Sequence, residues 1–125
     1  MKKNLVVLLA LFAVFLCACT KVIPTSVQAK EKLESLGYTV EIDLVKGEDA
    51  KEQNITQLTL LSAYREEDLV LQVYYFVTPE DTDRFYEDHG FNMRRNQEVF
   101  EKYKFTIIRG KLSARDDFLS VGNGQ

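Results

Sequence analysis

The chain has 125 residues, a formal net charge of −3, 46% hydrophobic and 28% charged residues, two cysteines, one histidine and no tryptophan. Length allows one domain, and the apolar fraction excludes wholesale disorder. An acidic balance argues against nucleic acid as a partner.

Met1-Lys2-Lys3-Asn4 is a short basic start, and Leu5 to Leu16 is an uninterrupted apolar run, LVVLLALFAVFL. Cys17-Ala18-Cys19 follows, then polar Thr20 and Lys21. A positive head, an apolar middle of about 7–15 residues and a small residue at the exit are the parts of a secretory signal peptide. A permanent spanning helix needs about 20 apolar residues, and Leu5 to Cys19 falls short of that. A buried cytosolic helix fits poorly, because the run is apolar on every face and would need complete enclosure.

Leu16-Cys17-Ala18-Cys19 resembles the lipobox of bacterial lipoproteins: Leu, a small residue, Gly or Ala, then Cys. Leu16 and Ala18 match; Cys17 departs from the usual Ala, Ser, Thr or Val but is small. The resemblance covers about the first 20 residues. It implies a diacylglycerol group on the Cys19 sulfur and cleavage between Ala18 and Cys19. Two acyl chains hold a soluble domain on a membrane where one would be marginal. Loss of residues 1–18 takes Lys2 and Lys3 with it, shifting the formal charge from −3 to −5. No internal disulfide can then form, so the core alone must stabilise the domain. Residues 19–24 make a tether too short for long reach, and the domain is expected close to the bilayer.

Thr25 to Leu36 reads as a helix, with a Thr25/Gln28 capping box, Ala29, Leu33 and Leu36 on one face and Gly37 as the stop. Tyr38 to Val45 alternates as a half-buried strand, Tyr38, Val40, Ile42 and Leu44 inward. Lys46 to Asn54 reads as a charged loop turning at Gly47. Ile55 to Tyr64 reads as a strand entering a hairpin at Arg65-Glu66-Glu67-Asp68; the alternative is a helix with Ile55, Leu58 and Ser62 on one face. Leu69 to Val77 is apolar on both faces apart from Gln72, the pattern of a central strand.

Thr78 caps the next helix, with Pro79 at its first position and Asp81 at its third. It carries Thr82, Phe85, Tyr86 and His89 on one side and is expected to stop at Gly90. Asn92 is expected to cap a further helix with Met93, Phe100 and Tyr103 aligned. Phe105 to Arg109 reads as a last strand, with Gly110-Lys111 turning it into a short partner from Leu112 to Arg115. The order α-β-β-β-α-α-β implies an α+β fold: an antiparallel or mixed sheet of about four strands with helices on one face. Residues 25–119 form the domain, and 120–125 read as a frayed tail.

Chemistry is sparse. Any His-based triad must run through His89, and a helix C-terminus favours a cation there in any case. The carboxylates cluster as Glu48-Asp49, Glu66-Glu67-Asp68, Glu80-Asp81 with Asp83, Glu87-Asp88 and Asp116-Asp117. Pairs of this kind can do acid–base work or hold calcium. A calcium loop starting at Asp81 fails, because its sixth place is Tyr86 and its twelfth Asn92. Solvated helix starts and turns account for the rest. The aromatics Tyr74-Tyr75-Phe76, Phe85-Tyr86, Phe91, Phe100, Tyr103 and Phe105 fall at core periods or line a groove. Arg94-Arg95 with Lys102 and Lys104 is the densest basic patch.

The expectation is a non-catalytic binding or accessory module on the extracytoplasmic side of the cell membrane, anchored through Cys19, with no cofactor and no metal. The membrane and an envelope protein are its expected partners. A small envelope hydrolase with a carboxylate pair, or a structural surface lipoprotein, is the alternative.

Overall fold

Thr25 opens helix α1 (Ser26–Ser35) with the expected box: its side chain accepts from the Gln28 N–H, and the Gln28 side chain accepts from the Thr25 N–H, both at 3.2 Å. Ala29 and Leu33, one turn apart, are its buried face. Gly37 then takes φ +97°, which reverses the chain into strand β1 (Thr39–Val45). The structure, a computed structural model, describes residues 22–122. The expectations on Leu16, Cys17, Ala18 and Cys19 lie outside these residues.

Gly47 turns the chain at φ +63°, and the segment expected as a charged loop contains a short helix, α2 (Glu48–Glu52). Ala50 is its fully buried residue, and the Ala50 carbonyl accepts from the Ile55 N–H at 3.1 Å. One small apolar side chain among charges left no periodic signal for this helix.

Strands β2 (Leu58–Arg65) and β3 (Asp68–Phe76) form the expected hairpin, joined through Glu66 at φ +61° and Glu67. The strand reading of Ile55 to Tyr64 therefore holds over most of its length. Near the turn, Ala63 faces Leu71 while Tyr64 faces Leu69, so Val70 bulges out of register. The freed Val70 carbonyl accepts from the Lys111 N–H at 2.8 Å. Gly110 lies against it with φ +143°, and a Cβ there would stand 2.3 Å from the Val70 oxygen. Only glycine fits this crossing.

Helix α3 (Pro79–Arg94) begins as its sequence requires, Thr78 accepting from the Asp81 N–H at 3.1 Å and Pro79 in the first turn. It does not stop at Gly90. A Cβ at Gly90 would meet the Tyr86 ring at an ordinary 3.5 Å, and the helix continues until Met93 is buried. An interior glycine costs about 1 kcal/mol, less than burying methionine returns. The expected second helix is absent: Arg95 is extended, Asn96 has φ +60°, and Val99–Lys102 is strand β4. Phe100 and Tyr103 share a helical spacing by coincidence. Strand β5 (Thr106–Gly110) follows as expected, but Leu112 to Arg115 starts helix α4 (Leu112–Gly122) rather than a strand. Ala114 and Phe118, four apart and buried, set that helix, which extends into the stretch read as frayed.

The fold is α+β. Its open sheet has five strands, one more than expected, in the order β1-β2-β3-β5-β4, antiparallel throughout. The helices cover both faces, not one. On one face Leu61, Ala63, Leu71, Val73 and Ile108 pack with Ala29 and Leu33 of α1 and Ala114, Phe118 and Leu119 of α4. On the other, Leu58, Tyr74, Phe76 and Ile107 pack with Ala50 of α2 and Phe85 and Met93 of α3. Central strands that are apolar on both sides require cover on both. At the β1 edge, burial falls from Val40 to half-buried Ile42 and exposed Leu44, while Glu41 and Asp43 keep this edge charged.

Candidate functional site

Three places on the described surface gather polar and aromatic side chains around a groove or cavity. The first is where the chain enters the domain. The Tyr75 hydroxyl donates to the Pro24 carbonyl at 3.0 Å, pinning residues 22–25 against β3. Beside it, the β4–β5 turn is held by Phe76 N–H to the Phe105 carbonyl (2.8 Å) and Tyr103 N–H to the Thr106 carbonyl (2.7 Å). Ile23, Pro24, Tyr75, Tyr103, Lys104 and Phe105 line the groove between them, about 430 Å³ in volume. Burial pushes the Tyr75 phenol well above its ordinary range, so this hydroxyl remains a donor under any physiological condition.

The second is a polar row crossing the sheet on the α3 face. Register aligns Ser62, Gln72 and Arg109 on neighbouring strands. The Gln72 side-chain oxygen accepts from Arg109 Nε at 2.8 Å, from Arg109 Nη2 and from the Tyr74 hydroxyl at 3.3 Å. Gln72 Nε2 donates to Ser62 Oγ at 3.5 Å, and Arg109 Nη1 to the Met93 carbonyl at 3.3 Å. Burial raises the Tyr74 phenol, and the nearby Arg109 charge partly opposes this. A small cavity of about 50 Å³ lies beside Gln72, Arg109 and Gln97, room for little more than water. The row contains no nucleophile poised against a base.

The third is the outer side of α3, a groove of about 270 Å³ formed by Tyr86, Glu87, Gly90, Phe91 and Arg94. Phe91 is 83% exposed. Arg94 donates to the Tyr86 hydroxyl at 2.8 Å and stands 5.4 Å from the Phe100 ring; Lys102 lies 5.0 Å from the Tyr86 ring and pairs with Asp83 at 2.8 Å.

The expected basic patch is therefore divided. Arg94 and Lys102 meet across Tyr86 and Phe100, Arg95 caps the end of α3, and Lys104 belongs to the first groove. His89 is not in a last turn, because α3 runs on to Arg94; its ring packs 4.4 Å from that of Phe85. The carboxylates disperse into local tasks. Buried Asp81 accepts from the Thr56 N–H at 2.9 Å and pairs with Arg84 at 3.5 Å. Asp117 accepts from the Tyr38 hydroxyl at 2.6 Å, while Glu101 and Asp116 flank Arg115 at 3.0 Å each. Glu48 and Asp49 occupy the first turn of α2, and Glu66 and Glu67 the hairpin turn. Among the described residues no group of three His, Cys, Asp or Glu side chains could hold a metal ion. Of the three grooves, only that on α3 carries a carboxylate, Glu87.

Sequence reasoning missed Arg109 and the anchoring role of Tyr75. The signal for the row was present in Gln72, which interrupts the otherwise apolar run Leu69 to Val77. A buried amide needs partners, and Arg109 supplies them. Compared with family models, curated proteins and solved structures, the chain matches none.

Proposed function

We propose that the chain is an exported bacterial lipoprotein, held on the extracytoplasmic side of the cell membrane by acylated Cys19, and that its α+β domain is a non-catalytic binding or accessory module of the envelope. The observation that carries this reading is the apolar run Leu5 to Leu16 leading into Leu16-Cys17-Ala18-Cys19. Among the described residues no helix is long and apolar enough to cross a membrane. In this reading two acyl chains on Cys19 suffice for attachment.

The non-catalytic reading draws on the side chains at hand. The His89 ring packs on Phe85, Asp81, Asp83, Glu101 and Asp117 are held in hydrogen bonds or ion pairs, and the groove at the domain's start has mainly aromatic and aliphatic walls. Such walls suit recognition of an apolar or amphipathic surface. An envelope protein is the partner such a module would serve.

Labelling with radioactive palmitate tests the anchor. The wild-type chain and Cys17→Ser should both take up label and sediment with membrane. Cys19→Ala should do neither. Label retained on Cys19→Ala overturns the reading, and label lost on Cys17→Ser moves the acylated position.

A further inference from the structure

Only Thr20 and Lys21 separate Cys19 from Val22, the first described residue. Fully extended, that stretch keeps Val22 within about 11 Å of Cys19. The interfacial layer of a bilayer is about 5–8 Å deep on each side of the hydrocarbon. With Cys19 acylated, the surface around Val22 therefore stays in the headgroup layer or within a few ångströms of it.

That surface has a distinct character. Val22 is 53% exposed and Phe105 43% exposed, and the groove of Ile23, Pro24, Tyr75 and Tyr103 opens between them. Residues 20–25 and 103–106 contain Lys21 and Lys104 and no acid, in a domain that is acidic overall. An exposed ring and half-buried tyrosines beside lysine suit a membrane–water interface: rings settle at headgroup level, and lysine meets lipid phosphate. The lead-in is also held in place, since the Tyr75 hydroxyl bonds the Pro24 carbonyl and Ile23 packs on the core. The short tether therefore presents one face rather than letting the domain tumble.

We propose that the face formed by Val22–Thr25 and the Tyr103–Thr106 turn seats on the bilayer, with Phe105 at the headgroup boundary and Lys104 against anionic lipid. This rests on the reading of Cys19 as the acylated residue. Phe91, exposed on α3 in the other layer of the sheet, lies outside this face and serves as its reference.

The chain has no tryptophan, so Phe105→Trp and Phe91→Trp each create a single reporter in the full-length lipidated protein. Both are reconstituted in vesicles of phosphatidylethanolamine and phosphatidylglycerol carrying brominated acyl chains. Emission from position 105 should shift to the blue and be quenched at least about twofold more than emission from position 91. An environment-sensitive dye on Lys104→Cys, an exposed position, gives the same reading should Phe105→Trp disturb the turn. Mass measurement of the same preparation separates the two claims. If Cys19 carries its acyl groups and the protein floats with the vesicles, yet positions 105 and 91 are quenched equally, the seating is overturned and the anchor stands. If Cys19 carries no lipid, both fall.

Discussion

On one face of the sheet, Leu61, Val73 and Ile108 meet Leu33 of α1 and Phe118 of α4; on the other, Tyr74, Phe76 and Ile107 meet Phe85 and Met93 of α3. The first face is aliphatic and covered by two helices that also touch each other. The second is aromatic under the body of α3, and beside the helix's last turn, where Arg109 bonds the Met93 carbonyl, it becomes the row Ser62, Gln72 and Arg109. Polar side chains on a sheet face must be solvated or bonded to one another. The aliphatic face is therefore expected to carry most of the stability, and the aromatic and polar face to tolerate change at lower cost.

The largest test removes a ring from each layer. Phe118 is fully buried, so Phe118→Ala should cost about 4 kcal/mol in urea unfolding. Phe85 is also buried, against Tyr74, Phe76 and His89. Those rings can shift into the space it leaves, so Phe85→Ala should cost about 1 kcal/mol less. A larger loss at Phe85 breaks the comparison.

Gly110→Ala comes next. It places a Cβ 2.3 Å from the Val70 carbonyl oxygen at φ +143° and should cost about 3 kcal/mol by thermal melting. Because Gly110 ends β5 and precedes α4, the loss belongs to the aliphatic layer, and exchange protection of the Lys111 N–H should fall with it. Arg109→Met sharpens the other side. It leaves the Gln72 oxygen with only the Tyr74 hydroxyl and should cost about 1–2 kcal/mol. A loss as large as that of Phe118→Ala would make the polar row a second core rather than a substitute for one.

The sequence announced those parts of the fold whose causes are local. Thr25 with Gln28, and Thr78-Pro79 with Asp81, are start signals read within one turn, and both helices begin where expected. Alternation in β1 and the doubly apolar run of β3 are likewise local, and Gln72 already marked the polar row. What failed depends on distant partners. Strand β4 has four residues, too few for alternation to register, and exists through its pairing with β5. Gly90 reads as a stop unless the burial of Met93 beyond it is known. Gly110 reads as a turn until the Val70 bulge stands against it. The same holds for the groove at the domain's start: Tyr75 sits within a strand pattern, and nothing near it in sequence points to Pro24.

The smallest effect discriminates the two faces by pH. Tyr75 projects into the aliphatic side and Tyr74 into the other, beside Arg109. Burial raises both phenols above the ordinary value of 10.0, and Arg109 opposes the rise at Tyr74 alone. A raised phenol keeps its proton in the folded state where the unfolded chain has lost it. Its contribution is therefore complete below pH 10.0 and is lost as the pH climbs through the folded value. Tyr75→Phe should cost about 1 kcal/mol at neutral pH, through the lost bond to the Pro24 carbonyl. It should also flatten the alkaline fall in urea-unfolding stability. Tyr38 and Tyr103, raised likewise, keep that fall from vanishing. Tyr74→Phe should flatten it less, because Arg109 already favours the ionised ring. Equal flattening by both variants would mean that the two faces desolvate their tyrosines alike, and that the Arg109 charge is screened before it reaches Tyr74.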